Sequence, residues 1–201
     1  QWANTIHVTS LLKKTVSLNY NNKTYTWGDA KNFVLFAGPD IIEDEGLVIE
    51  VGTEIKRVTT QLGIPWILKC SFDKANRQSS ASFRGPGVQS ALKSLDKIKT
   101  QLDVPLITDV HETIQVADTS KVADVIQIPA FLSRQTDLLV ETAKTGKVIH
   151  IKKGQFLAPW DMTAITKKAV QAGNDKLLLC ERGTTFGYNR LINDMTGLVE
   201  M

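Results

Sequence analysis

Residues 148–153 read Val-Ile-His-Ile-Lys-Lys, and the alternation in this stretch decides how the chain is expected to fold. Successive side chains of a β-strand point to opposite faces, so Ile149 and Ile151 share one face while His150 and Lys152 share the other. The two isoleucines suit a face that packs against helices. We therefore expect His150 and Lys152 to point into the interior of a barrel.

Similar short apolar runs recur on both sides of this stretch, with helical patterns between them. The predicted strands are Phe33–Ala37, Trp66–Ser71, Leu106–Val110, Val125–Ile128, Val148–Lys152 and Leu177–Cys180. The predicted helices are Glu45–Leu62, Gly87–Leu102, Gln135–Thr145 and Trp160–Ala172, with a weaker one at Glu112–Thr119. Strands that alternate with helices predict an α/β chain with a parallel sheet. An open doubly wound sheet and a TIM (β/α)8 barrel both fit, but no G-x-G-x-x-G follows the first strand, which disfavours the dinucleotide-binding fold.

Charged and polar side chains gather where several predicted strands end, which is the face on which barrel enzymes build their active sites. The cations at these ends are Lys69, Lys74, Arg77, Lys152 and Arg182. Cations around one mouth repel each other, and desolvation adds to the cost. A substrate with a phosphate, or a phosphate and a carboxylate, would offset both. For any single residue a surface charge or a salt-bridge partner is at least as good an interpretation, but for five converging residues it is the weaker one.

The first thirty residues differ from the rest of the chain. Residues 15–27 alternate around Asn21-Asn22, as a β-hairpin does. We therefore divide the chain into an N-terminal extension with a hairpin, residues 1–30, and a partial barrel, residues 31–201.

Composition excludes several classes of protein. The 201 residues are 42% hydrophobic and 22% charged, with a net charge of +3, so nothing supports nucleic-acid binding. No apolar run approaches the length of a membrane span, and the first residues lack the apolar core of a signal peptide. The two cysteines, Cys70 and Cys180, lie far apart in strand-like segments, which favours reduced thiols in the cytoplasm over a disulfide.

Seven short motifs in order make the chain recognisable. They are KCSFDKANR at residues 69–77, FRGPG at 83–87, TDVHE at 108–112, QIPAF at 127–131, RQTDL at 134–138, KKGQF at 152–156 and ERGTTFGY at 181–188. This pattern resembles the 3-deoxy-D-manno-octulosonate 8-phosphate (KDO 8-phosphate) synthases of the DAHP synthase-like class I aldolase superfamily, over about residues 33–201. The related DAHP synthases carry K-P-R-T-S where this chain has residues 74–77, and that difference favours arabinose 5-phosphate over erythrose 4-phosphate.

The resemblance implies a reaction. KDO 8-phosphate synthases are transferases that join C3 of phosphoenolpyruvate to the aldehyde of arabinose 5-phosphate, while water attacks C2 and phosphate leaves by C–O cleavage. The product serves lipopolysaccharide biosynthesis or plant cell-wall pectin. The enzyme must hold two anionic substrates together and stabilise charge at C2.

The resemblance also implies roles for individual residues. The phosphate and carboxylate of phosphoenolpyruvate would be held by Lys69, Lys74, Lys152 and Arg182, in a pocket lined by Ser71, Gln127 and Gln155. The arabinose 5-phosphate side would be bound by Asn76 and Arg77, with Arg77 near its phosphate, and Asp109 would face the reacting end of the sugar or its hydroxyls. For His111, a packing role and a functional role are evenly balanced, whereas His150 is expected to be a satisfied interior histidine.

Two residues depart from the family pattern. At the position of Asp40 the metal-requiring synthases carry Cys and the metal-independent ones Asn. A carboxylate there could ligate a divalent ion such as Mn²⁺ or Mg²⁺, with Zn²⁺ or Fe²⁺ as further options, or it could place an unwelcome negative charge beside phosphoenolpyruvate. Gln78 replaces a small hydroxyl residue expected after Arg77, and no cofactor follows with certainty from the sequence.

Length is the larger departure. A complete barrel has eight strands and about 250 residues, whereas six βα units are predicted here, and the resemblance puts the remaining metal ligands on the seventh and eighth. We therefore expect an excerpt of a longer reading frame or a partial gene. Two alternatives to a working synthase stay open, a catalytically inactive fragment and a related synthase that uses another phosphosugar. The family is commonly a homotetramer, so a cytoplasmic homo-oligomer is expected.

Overall fold

The computed structural model describes residues 15–28 and 33–201. Its strands are β1 (Val16–Tyr20), β2 (Lys23–Trp27), β3 (Leu35–Ala37), β4 (Trp66–Lys69), β5 (Leu106–Asp109), β6 (Val125–Ile128), β7 (Val148–Lys152), β8 (Leu177–Cys180), β9 (Thr184–Thr185) and β10 (Leu191–Ile192). Its α-helices are α1 (Glu45–Leu62), α2 (Val88–Leu102), α3 (Thr113–Val122), α4 (Thr136–Lys144), α5 (Met162–Gln171) and α6 (Gly197–Glu200). The predicted strands and helices of the barrel are thus confirmed, including the weaker one that became α3.

The main sheet has six strands in the order β3-β4-β5-β6-β7-β8, and every neighbouring pair is parallel. A doubly wound sheet reverses its strand order at a switch point, whereas this order follows the chain. Because parallel crossovers are right-handed, sequential order puts all the connecting helices on one face, and the sheet curls around the other. The fold is an incomplete (β/α) barrel of six units, as predicted.

Two layers of apolar packing follow from the alternation along each strand. On β7, Ile149 and Ile151 are fully buried against the surrounding helices. Val148 belongs to a separate inner cluster at the amino-terminal ends of the strands, and His150 lies on the same face beside the Phe36 ring at 5.3 Å between centroids. The predicted assignment of the two faces of β7 is therefore confirmed.

The hairpin formed by β1 and β2 closes the amino-terminal end of this interior. Its two-residue turn places Asn21 at a φ of 50°, a left-handed conformation that asparagine tolerates better than most residues. Val16 and Tyr25 are buried with Ile67 and Ile107 in the inner cluster. The opposite, carboxyl end of the strands is left for polar side chains.

A short ribbon near the end of the described chain was not predicted. Strands β9 and β10 pair as a short antiparallel ribbon after β8, and two-residue strands are too short to leave a periodic pattern.

No helix in residues 15–28 and 33–201 combines the length and the apolar character that crossing a bilayer requires. Both cysteines are free thiols, as predicted.

Candidate active site

A cavity of about 290 Å³ opens at the carboxyl ends of the strands. Its walls come from the carboxyl ends of β5, β6 and β7 and from the segments that follow β4, β5, β6 and β8. The lining residues are Lys74, Ala75, Asn76, Asp109, His111, Gln127, Pro129, Ala130, Phe131, Leu132, Lys152 and Arg182. Six of the ten predicted catalytic and substrate-binding residues therefore share one cavity.

Lys74 reaches this cavity from the loop after β4. Its Nζ lies 2.9 Å from Ser71 Oγ and 2.7 Å from Asp40 Oδ1. Asp40 is brought there by the chain after β3, where Ser71 N donates to Asp40 O at 3.3 Å and Ile42 N donates to Ser71 O at 3.0 Å. The Lys74 side chain is 14% exposed and that of Asp40 is 70% exposed, so the carboxylate lies across the ammonium on its solvent side.

Arg77 lies at the outer edge of the same group. Its Nη2 is 3.7 Å from Asp40 Oδ2, and the guanidinium does not line the cavity. The Asp40 carboxylate thus faces two cations that, by the family resemblance, are expected to bind anionic substrate groups.

Lys69 lies deeper, on the inward face of β4. Burial lowers the pKa of Lys69, and repulsion by Lys152 and Lys74 acts in the same direction, while Asp109 opposes the shift. The ammonium groups of Lys69, Lys74 and Lys152 therefore interact inside the barrel mouth, and the other two repel that of Lys69. An anion bound among them would stabilise their charged forms.

Asp109 is the anionic counterpart of these cations. Its Oδ2 lies 3.2 Å from His111 Nε2, and both side chains are at most 10% exposed. Burial opposes ionisation, but the hydrogen bond and charge of His111, the Ser71 hydroxyl and Lys69 together lower the pKa of Asp109 to about 2. Within the described part of the chain, Asp109 Oδ1 and His111 Nδ1 are buried without a hydrogen-bond partner, so both atoms are available to a ligand.

Below the cavity, His150 and Gln127 form a neutral floor. His150 Nδ1 lies 3.2 Å from Gln127 Oε1. Burial, and then repulsion by Lys152 and Lys69, lower the pKa of His150 to about 4. The ring is therefore uncharged near neutrality, as expected for a satisfied interior histidine.

Gln155 is a predicted substrate-binding residue that lines a different cavity. It lines a separate cleft of about 630 Å³ between the loops after β7 and β8 and the carboxy-terminal segment. Its Oε1 is buried and has no partner among the residues described. The predicted contact of Gln155 with phosphoenolpyruvate stays a prediction.

The metal site expected around Asp40 finds little support in its surroundings. In residues 15–28 and 33–201 no group of three or more His, Cys, Asp or Glu side chains could hold a metal ion. The Asp40 carboxylate instead faces Lys74 and Arg77. These residues do not fit a metal ion by themselves, and the metal assignment of Asp40 stays a prediction.

The segment Pro129–Leu132 forms one wall of the cavity, although the sequence, which has residues 127–131 among its motifs, predicted no role for it. It follows β6 directly and includes a single 3-10 turn, Ala130–Leu132. The signal that could have found it is its place at the carboxyl end of a barrel strand, because its residue types are apolar and carry no chemistry.

Comparison with known proteins gives one family. A family profile described as "DAHP synthetase I family" matches residues 14–201. The chain is similar to the 2-dehydro-3-deoxyphosphooctonate aldolase of Fusobacterium nucleatum, with 55% identity over 175 residues that cover 87% of this chain and 63% of that protein. It is also similar to the proteins of the same name from Pseudomonas putida strain GB-1, with 57% identity over 83% of this chain and 59% of that protein, and from Shewanella piezotolerans, with 50% identity over 90% and 66%. The chain spans about three fifths of the length of the first two relatives.

Proposed function

The chain belongs to the DAHP synthetase I family, and from this premise we propose that it works as a KDO 8-phosphate synthase. The proposed reaction condenses phosphoenolpyruvate, arabinose 5-phosphate and water to 3-deoxy-D-manno-octulosonate 8-phosphate and inorganic phosphate. The observation that carries the proposal is the single cavity in which Lys74, Lys152 and Arg182 meet beside Asp109. Three cations around so small a space favour ligands with more than one negative charge.

Phosphoenolpyruvate binds among the cations in this proposal. Lys152 and Arg182 hold its phosphate and carboxylate, since a guanidinium offers a bidentate fork and an ammonium a point charge. Lys69 and Lys74 add positive charge from the β4 side. The amide of Gln127, already held by His150, contributes a polar contact at the floor.

Arabinose 5-phosphate binds towards the opening. Asn76 lines the cavity, and Arg77 stands at its rim, 3.7 Å from Asp40. A sugar phosphate at the rim would leave the aldehyde pointing inward, towards C3 of phosphoenolpyruvate. Holding the two reactants in this order converts a collision of two anions into a reaction within one complex.

The chemistry needs charge stabilisation at C2. As C3 forms its bond to the aldehyde carbon, the aldehyde oxygen takes up a proton and C2 becomes electron-poor. Water adds to C2 and gives up one proton, and the C–O bond to phosphate then breaks, with the second proton leaving on the phosphate, to give a ketone. Asp109 remains ionised at neutral pH because its pKa is about 2, so its carboxylate offsets positive charge at C2. His111, bound to Asp109, offers a ring nitrogen for a hydrogen bond to the sugar oxygen.

The test measures phosphate release and phosphoenolpyruvate binding by the 201-residue chain, with arabinose 5-phosphate or erythrose 4-phosphate as the second substrate. We expect turnover with arabinose 5-phosphate, and Lys152→Ala and Arg182→Ala each to weaken phosphoenolpyruvate binding at least tenfold. Lys121→Ala is the matched control, since Lys121 is an exposed cation paired with Asp118 on α3.

Three other results would change the proposal. Preference for erythrose 4-phosphate would support the related synthase that uses another phosphosugar. Binding without turnover would support the inactive alternative. Normal binding by both cavity variants would refute the proposed anion site.

We also propose that the protein acts in the cytoplasm as a homo-oligomer, a tetramer by analogy with the family. Large apolar side chains stand exposed near the cleft that Gln155 lines, among them Trp160 at 66% and Phe186 at 59%. Light scattering of the purified chain tests the assembly, and a monomer at micromolar concentration would contradict it.

A further inference from the structure

A second, hidden pair of charges lies directly behind the cavity. Lys153 follows β7, and Glu181 follows β8. Lys153 Nζ lies 3.6 Å from Glu181 Oε1, with the two side chains 0% and 4% exposed. Because neighbouring residues of an extended chain alternate between faces, this pair points away from the cavity into which Lys152 and Arg182 face.

The pair ties together the loops that follow the two strands. Lys153 Nζ donates to Leu157 O at 3.1 Å within its own loop. It also donates to Gly183 O at 3.2 Å and Thr184 Oγ1 at 3.1 Å in the loop after β8. Glu181 Oε1 accepts from Gly183 N at 2.5 Å. The three donors of one ammonium are thus shared between two loops.

Each member of the pair is the direct neighbour of a cavity cation. Lys153 follows Lys152, and Glu181 precedes Arg182. The backbone link between the strands continues here as well, because Lys153 N donates to Cys180 O at 2.9 Å. A shift of either buried side chain therefore moves a residue that lines the cavity.

Stability alone is a weak reason for such a pair. Desolvation of two buried charges roughly cancels their attraction, and apolar residues of similar volume often stabilise a protein as well. Lys152 and Arg182 repel each other when the cavity holds no anion. A fixed connection between their backbones would keep them at the spacing that an anionic ligand needs.

We propose that Lys153 and Glu181 are positioning residues that set the distance between Lys152 and Arg182 for anion binding. This inference rests on the proposed function, because it takes those two cations to be the anion site. Neither Lys153 nor Glu181 touches the ligand.

The experiment measures the affinity of Lys153→Met and Glu181→Gln for inorganic phosphate and for phosphoenolpyruvate by calorimetry. We expect each variant to bind phosphoenolpyruvate at least tenfold more weakly. In an Arg182→Ala background the same substitutions should lower the affinity for phosphoenolpyruvate less than twofold, because the guanidinium that they position is already absent. Such non-additivity is the sign of action through Arg182, and a purely structural role would not produce it.

The chain offers a matched control at the other end of the sheet. Lys99 Nζ lies 2.8 Å from Asp124 Oδ2, with the side chains 12% and 14% exposed, and the pair lies far from the cavity walls. Lys99→Met should lower stability in urea unfolding without changing phosphoenolpyruvate affinity. An equal loss of affinity in Lys99→Met would overturn the inference, because general destabilisation would then explain it.

The remaining outcomes separate the two proposals. If Arg182→Ala and Lys152→Ala weaken binding while Lys153→Met and Glu181→Gln do not, the positioning role is refuted and the anion site stands. If none of the four weakens binding, the proposed function itself fails. Should Lys153→Met fail to fold, Glu181→Gln decides, because it removes the charge and keeps an oxygen for Gly183 N–H.

Discussion

Asp40 pairs with cations that the proposed substrates need. Replacing it with asparagine tests how much this pairing lowers the affinity for anionic ligands. In the structure its carboxylate lies 2.7 Å from Lys74 Nζ and 3.7 Å from Arg77 Nη2. A phosphate group that pairs with Lys74 competes with this carboxylate. Asp40→Asn keeps the size of the side chain and removes the charge.

The exposure of Asp40 sets the size of the expected gain in affinity. With its side chain 70% exposed, the ion pair is of the surface kind, which contributes about 0.2–1 kcal/mol. Releasing Lys74 and Arg77 from this carboxylate lowers the cost of anion binding by the same amount. Since 1.4 kcal/mol is a factor of ten, we expect Asp40→Asn to bind phosphate and arabinose 5-phosphate up to about fivefold more tightly. The free energy of unfolding should fall by less than about 1 kcal/mol.

The assay is isothermal calorimetry with both ligands at low and high potassium chloride, in the presence of a chelator. Salt should reduce the gain because exposed charges are screened. Glu54→Gln is the control, since it removes one exposed carboxylate paired with Arg57 on α1 and should leave binding unchanged. Unchanged or weaker binding by Asp40→Asn would refute the reasoning. In a second titration with Mn²⁺ and no chelator, weaker binding by Asp40→Asn only when Mn²⁺ is present would instead support a metal-ligating role for Asp40.

Two further predictions concern titration and reactivity. Because burial and repulsion by Lys152 and Lys74 lower the pKa of Lys69, an anion that stabilises the protonated form should raise this pKa again. At a pH between the pKa of Lys69 in the free protein and its pKa with the anion bound, binding of phosphoenolpyruvate should take up protons. Calorimetry in buffers of different ionisation enthalpy measures this uptake. Proton release, or equal uptake by Lys69→Met, would contradict the prediction. Burial raises the pKa of Cys70 to about 12. Iodoacetamide at pH 8 should therefore alkylate Cys70 in the urea-unfolded chain but not in the folded protein. Alkylation of Cys70 in the folded protein, detected by mass spectrometry, would contradict this prediction.

The amino-acid sequence by itself determined the βα units and the two faces of each strand. Both follow from local geometry, because a strand alternates its side chains whatever surrounds it. That is why Ile149 and Ile151 were assigned to the helix-packed face and Lys152 to the interior. The sequence motifs also indicated which polar residues belong at the strand ends.

The tertiary structure decided which of those residues meet. Arg77 follows β4 as Lys74 does, yet it does not line the cavity. Gln155 comes three positions after Lys152, yet it lines a separate cleft. The positions of loop residues depend on long-range packing, which periodicity does not encode. The pairing of Lys153 with Glu181, 28 positions apart in the chain, joins two loops that only the curled sheet brings together, and an isolated motif gives no sign of it.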